Sequence, residues 1–270
     1  MKITALVENQ THCDLRAVHG LSLYIETKRH KLLFDLGPDD TLFVNAAKRK
    51  IDLSLVDTVI ISHGHDDHGG ALGQFLKENH QAIVYIQKRA FEPHYTKGLL
   101  VKSDIGLDPA LKDHPQVKLV NGDAQIDEEL SLITVSRTDQ CYSSANDTLY
   151  EGGSKDHFEH EQSLLIREDQ TVLTMGCGHT GIVNIMDKAA SYAPKVVIGG
   201  YHLYNPTSKK TVSTALLDEL IAVFKKYPDA RFYTCHCTGK EAYHYLAEHL
   251  DNMFYLCCGD NLTIGPEVEE

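Results

Sequence analysis

Six consecutive residues, His63-Gly64-His65-Asp66-Asp67-His68, restrict this chain more than any other feature of its sequence. They follow an apolar, β-branched run from Thr58 to Ser62 that reads as a strand, and Gly69-Gly70 end the turn. The four side chains of the H-x-H-x-D-H pattern, His63, His65, Asp67 and His68, therefore leave one strand end within six positions. They converge on metal only if the loop folds tightly, which the glycines permit. His63 and His65 can serve one ion, while Asp67 and His68 point to a second. Imidazole and carboxylate together suit zinc, manganese or iron rather than calcium. A polar surface turn is the alternative, because the chain has 16 histidines in 270 residues. At that frequency a chance match to this spacing is of order one in a few hundred, roughly, for the whole chain, so the metal reading is preferred.

Composition narrows the setting. Apolar residues are 42% and charged residues 24%, as in a globular chain with ample material for a core. No apolar run approaches the roughly 18 residues of a membrane span. The start, Met1 to Asn9, reaches an acid too early for a secretory signal, so the expected compartment is the cytoplasm and no membrane partner is expected. The net charge of −12 disfavours a nucleic-acid partner, which calls for a basic stripe. Seven cysteines, two of them adjacent at Cys257 and Cys258, do not form a disulfide framework and fit a reducing compartment. There is no C-x-x-C pair, and Cys235-His236-Cys237 alone is too short for a zinc ribbon.

Strand-like runs occupy Ile3–Val7, Leu21–Glu26, Leu32–Asp35, Thr58–Ser62 and Ala82–Gln87, with helical stretches at Thr41–Arg49 and after Gly70. The second half offers strands at Ser163–Ile166, Thr171–Met175, Lys195–Gly199 and Arg231–Cys235. Helices are expected at Gly181–Tyr192, Val212–Lys226 and Lys240–Leu250. This rhythm fits two sheets packed together with helices outside, and periodicity alone does not separate that from a doubly wound sheet. With no linker or repeat visible, residues 1–270 are expected to form a single domain, and 91–160 a loop-rich insertion over the site.

The remaining motifs decide between the two architectures. Phe34-Asp35-Leu36-Gly37, Met175-Gly176-Cys177-Gly178-His179-Thr180-Gly181, Gly199-Gly200-Tyr201-His202-Leu203 and Cys235-His236-Cys237-Thr238-Gly239 each stand at an expected strand end. Together with the His63–His68 cluster they resemble the metallo-β-lactamase superfamily, across nearly the whole chain. The later motifs, with Asp156-x-Phe158-x-x-Glu161-Gln162, resemble one subgroup, related to the archaeal dihydropterin ribofuranosylaminobenzene phosphate synthases. The resemblance implies an α/β fold, a four-layered αβ/βα sandwich with two divalent metal ions, zinc foremost and manganese or iron as alternatives, at one edge of the two sheets. It carries the metal-ligand role to His63, His65, Asp67, His68, His179 and His236.

By the same resemblance Asp35 orients the His/Asp loop, and His202, after two glycines that let backbone approach closely, contacts substrate or serves as general acid. His179 is otherwise a polar contact ahead of a helix, and His236 a satisfied core histidine. Cys177 departs from the superfamily, many members of which place a bridging Asp near that loop. Asp156 or Glu161 is a candidate for the missing carboxylate, while His157 and His160 read as solvated. The expected activity is metal-dependent hydrolysis of a small phosphorylated or ester-like metabolite, with Asp67 steering the attacking hydroxide and His202 serving the leaving group. The helix after Gly181 would offer free N–H groups to a phosphate. The alternatives are a synthase-like transferase joining a pterin diphosphate to an arylamine, a mononuclear iron sulfur dioxygenase, and a non-catalytic binding scaffold.

Overall fold

The computed structural model of the chain describes residues 1–98, 102–136 and 138–266. Two seven-stranded sheets pack face to face. The first runs, edge to edge, through Asn261–Thr263, Lys2–Val7, Ser22–Glu26, Lys31–Phe34, Thr58–Ile60, Ile83–Gln87 and Val117–Val120. The second runs through Met253–Tyr255, Arg231–Thr234, Val196–Gly199, Thr171–Thr174, Ser163–Arg167, Leu130–Ile133 and Ala124–Gln125. In each sheet the strands that alternate with helices pair in parallel, as do Ile83–Gln87 and Val117–Val120, and the others antiparallel.

Strand alternation explains the layering, because successive side chains point to opposite faces. Leu32 and Phe34 enter the core between the sheets with Ile60, Leu164, Ile166, Val172 and Ile198. Leu33, between them, turns outward onto Leu42, Ala46, Leu72 and Phe75 of the covering helices Thr41–Arg49 and Leu72–Glu78. The second sheet repeats the arrangement: Leu165, Leu173 and Val197 pack under Ile185, Met186, Leu220 and Phe224 from the helices Ile182–Ala189 and Thr214–Phe224. Both faces of both sheets are thus apolar, and the four-layered αβ/βα sandwich follows. No helix among the described residues is long and apolar enough to cross a membrane.

The strands and helices read from periodicity stand within about two residues of their observed positions. The stretch 91–160 differs from its expectation. Its described residues carry seven short strands: Val117–Val120 closes the first sheet, and Ala124–Gln125 and Leu130–Ile133 close the second. His94–Lys97, Lys102–Asp104, Leu149–Glu151 and Ser154–Lys155 form a separate four-stranded sheet. Residues 99–101 and 137 of that stretch lie outside the described residues. Strands of two to four residues show too few alternations for periodicity to register.

A polar staple links the two halves away from the site. His30 faces two carboxylates, Nδ1 at 2.8 Å from Asp57 and Nε2 at 2.6 Å from Asp127, so only the doubly protonated ring donates to both. Burial opposes that charge, but Asp57 and Asp127 outweigh it and raise the pKa above the ordinary 6.5. A raised folded-state pKa means that the staple's contribution is complete below about 6.5 and is lost as pH climbs through the folded value. His30→Gln is therefore expected to lower the urea midpoint more at pH 6 than at pH 9; an equal loss at both would remove the charge from the account.

Candidate metal centre

The cluster forms at the sheet edge where Thr58–Ile60 ends and the chain turns into the short helix Asp66–Gly69. Asp35, at the end of the neighbouring parallel strand, holds that turn. Its Oδ1 accepts the Ser62 N–H at 2.7 Å, and its Oδ2 accepts the Ser62 hydroxyl at 2.8 Å and faces His68 Nδ1 at 2.7 Å. The arrangement requires Asp35 in a left-handed backbone conformation, φ 59°, as also found at His202 (45°) and His236 (49°). Such conformations cost about 1–3 kcal/mol each and persist where surrounding contacts over-determine them.

Four histidines share one pattern. Each presents Nδ1 to an oxygen acceptor: His63 to Ser62 Oγ at 2.8 Å, His68 to Asp35, His179 to Asn146 Oδ1 at 2.9 Å and His236 to Asn9 Oδ1 at 2.8 Å. The acceptor roles are fixed by what the partners do elsewhere. Ser62 spends its proton on Asp35, and the Asn146 and Asn9 amide nitrogens donate to the His179 and His236 carbonyls. Each Nδ1 therefore carries hydrogen, and each Nε2 points inward.

The inward nitrogens meet in pairs, His63 to His179 at 3.3 Å and His68 to His236 at 3.2 Å. Burial, together with the neighbouring histidines, drives the pKa of His63 and of His179 well below 6.5, so both rings are neutral and two lone pairs face one another. Such a contact is repulsive unless a cation takes both. At His68 burial again opposes charge, but Asp67 and Asp35 lift the pKa to about 9, and without a cation that ring keeps a proton to share with His236.

The other expected residues gather around these pairs. His65 is buried and its Nε2 has no partner, and its ring lies near both His63 and His179. Asp67 Oδ2 stands 3.2 Å from His236 Nε2 and 3.8 Å from His68 Nε2. Cys177 Sγ reaches 3.2 Å from His68 Nε2. Donor atoms close enough to share an ion occur in His63, His65 and His179, and in His63, His68 and Cys177. Unpartnered buried nitrogens and neutral imidazoles are what a borderline cation such as zinc takes, so this donor set fits a divalent metal. His202 is buried with neither ring nitrogen partnered, and it lines a cleft of about 210 Å³ with His65, Asp67, His179 and Cys237.

Two expectations are corrected. Glu161 is no stand-in for a bridging carboxylate: its two oxygens accept the N–H groups of His179 and Thr180 and the Thr180 hydroxyl. His160 is not solvated but fully buried, while His157 is exposed as expected. The sequence reading passed over Ser62, Asn9 and Asn146. It also missed His19, on the cleft wall with Nε2 3.2 Å from Asp67. None of these carries a spacing signal, although Ser62 adjoins the motif.

The comparisons with known proteins agree with this geometry. The family model described as "Metallo-beta-lactamase superfamily" matches residues 15–136. The solved structure of Tm1679, a metal-dependent hydrolase of the β-lactamase superfamily, aligns with a TM-score of 0.82 at 26% identity, covering 98% of this chain and 99% of that one. The chain thus has the metallo-β-lactamase fold. By sequence, the chain is 28% identical over 264 residues to the 7,8-dihydropterin-6-methyl-4-(β-D-ribofuranosyl)-aminobenzene-5'-phosphate synthase of Methanocaldococcus jannaschii, spanning 87% of this chain and 86% of that protein. It is 26% identical over 258 residues to an uncharacterised protein of the same archaeon, spanning 94% and 96%.

Asp35 offers a direct test of how this site is held. Asp35→Ala strips three donors of a buried, charged acceptor, and unfolding in chelator is expected to become easier by about 3 kcal/mol or more. A loss below about 1 kcal/mol would mean that Ser62 and His68 find other partners.

Proposed function

We propose that this protein is a metal-dependent hydrolase that uses metal-activated water on a small phosphorylated or ester-like metabolite. The observation that carries the reading is the His63–His179 contact, two buried neutral imidazoles with their lone pairs 3.3 Å apart. His63, His65 and His179 would hold one ion, and Asp67, His68 and His236 the second, zinc foremost, with Cys177 between them. Divalent metal at such a site lowers the pKa of water and polarises an electrophilic oxygen.

The chain's own residues would do the rest. Ser62, Asp35, Asn146 and Asn9 hold four rings with Nδ1 outward and Nε2 toward the site, and binding of an ion would release the proton that His68 keeps. Asp67 presents a carboxylate oxygen beside the cleft that can orient the attacking water. His202, with both nitrogens free in a buried wall, can pass a proton to the leaving group or hold a phosphate oxygen. The small cleft favours a small substrate, and we take residues 1–270 as the one domain that builds it.

The similarity to the dihydropterin synthase supports a second reading, transfer from a pterin diphosphate to an arylamine. Both readings need the same site and part over the acceptor, water or amine. Asp67→Ala is expected to lower metal per chain from about two, as measured by plasma mass spectrometry; full retention would take Asp67 out of the ligand set. His202→Ala is expected to keep its metal and lose roughly 10²–10⁴-fold in turnover of the best substrate among phosphodiesters, phosphomonoesters and lactones. Unchanged turnover would leave His202 without a chemical role. Product formation only when an arylamine accompanies a pterin diphosphate would favour the transferase.

A further inference from the structure

The segment 156–162 touches the candidate site at every buried position. Its exposure alternates: Asp156, Phe158 and His160 are buried while His157 and Glu159 are exposed. The Phe158 ring stacks on the His179 ring, 4.6 Å between centroids and 7° between planes. Glu161 holds the His179 and Thr180 amides, and the Gln162 N–H donates to the Ser62 carbonyl at 2.8 Å;. One contact reaches the turn between His63 and His65: the Gly64 N–H donates to His160 Nδ1 at 2.9 Å.

That bond settles the state of the His160 ring. Because Nδ1 accepts, the ring's hydrogen sits on Nε2, and Nε2 stands 3.1 Å from Asp156 Oδ2. The Asp156 carboxylate also accepts the Phe158 N–H at Oδ1, 2.7 Å, and faces His94 Nδ1 at 3.2 Å. His65, His94, Asp156 and His160 are near enough to share an ion, but both ring nitrogens of His160 are already engaged. The opposite side of Gly64 is closed. A Cβ there would lie 2.4 Å from the Ala90 carbonyl oxygen and 2.7 Å from His94 Nε2.

We propose that His160 is a positioning residue for the first metal position: its Nδ1, kept as an acceptor by Asp156, fixes the Gly64 amide and with it the directions in which His63 and His65 leave the turn. The inference rests on the metal reading above and adds a residue outside the ligand set. Without the acceptor, Gly64 has a buried N–H with no partner. The turn can then relieve it only by rotating that peptide, which re-aims both histidines. Partners of this kind that orient a ligand typically govern roughly 10–100-fold in metal affinity.

Two near-isosteres separate the two ends of the ring. His160→Asn places an acceptor where Nδ1 stands and drops the link to Asp156; His160→Gln places its amide where Nε2 stands and drops the acceptor. Zinc affinity of each position is measured by chelator competition on the full chain, with the wild-type protein setting whether two ions bind at all. The expected result is that H160N stays within about threefold of wild type, while H160Q loses roughly 10–100-fold at one position and little at the other. Equal weakening in both variants would reduce His160 to packing, and unchanged binding in H160Q would overturn the proposal. If wild type binds no zinc, the metal reading fails and this inference with it. An H160Q-specific loss at both positions would contradict the assignment to the turn. Should H160Q unfold, H160N and His160→Leu give the same comparison of acceptor against none.

Discussion

Two neutral imidazoles held 3.3 Å apart, lone pair to lone pair, repel one another unless a shared cation makes the contact favourable. The His63–His179 pair is held in that relation from outside, by Ser62 on one ring and Asn146 on the other. Rotating either ring to ease the repulsion would break a buried hydrogen bond, which costs about 1–3 kcal/mol. The facing nitrogens are therefore held in the relation that the proposed metal reading requires, and residues from distant parts of the fold hold them so. The two sheets bring their strand ends to one edge, and the three left-handed residues Asp35, His202 and His236 turn the chain sharply there.

The holding network crosses the whole chain. Asn9 reaches His236 over 227 positions, His160 reaches Gly64 over 96, and Asn146 reaches His179 over 33. Elements from both sheets and from the 91–160 stretch thus converge on the same few rings. A defect in any of them is expected to appear first as weaker metal binding, because the sandwich core lies elsewhere, in residues such as Phe34, Ile60 and Ile198.

What the sequence made legible follows the range of its signals. The turn after Thr58–Ile60 shows itself through local spacing, and the long core strands and helices through periodicity. Asp35, His179, His202 and His236 came from motifs at strand ends, and the structure brings all four to the cleft or its surroundings. Ser62, Asn9 and Asn146 are ordinary polar residues whose meaning lies in a partner far along the chain, and no period marks them. His160 was legible in part: Asp156, Phe158 and His160 alternate with exposed residues through a turn in which Phe158 is left-handed, and the aromatic ring marks the buried side. Taken singly, a histidine between Glu159 and Glu161 reads as solvated.

The central claim is that the facing nitrogens are metal ligands. The most direct measurement is anomalous diffraction at the zinc edge from crystals of the full chain grown with zinc. The account predicts a peak at about 2.0–2.1 Å from Nε2 of both His63 and His179, with a second beside His68 and His236. Crystals with no peak between His63 and His179, their nitrogens still in contact, would contradict it.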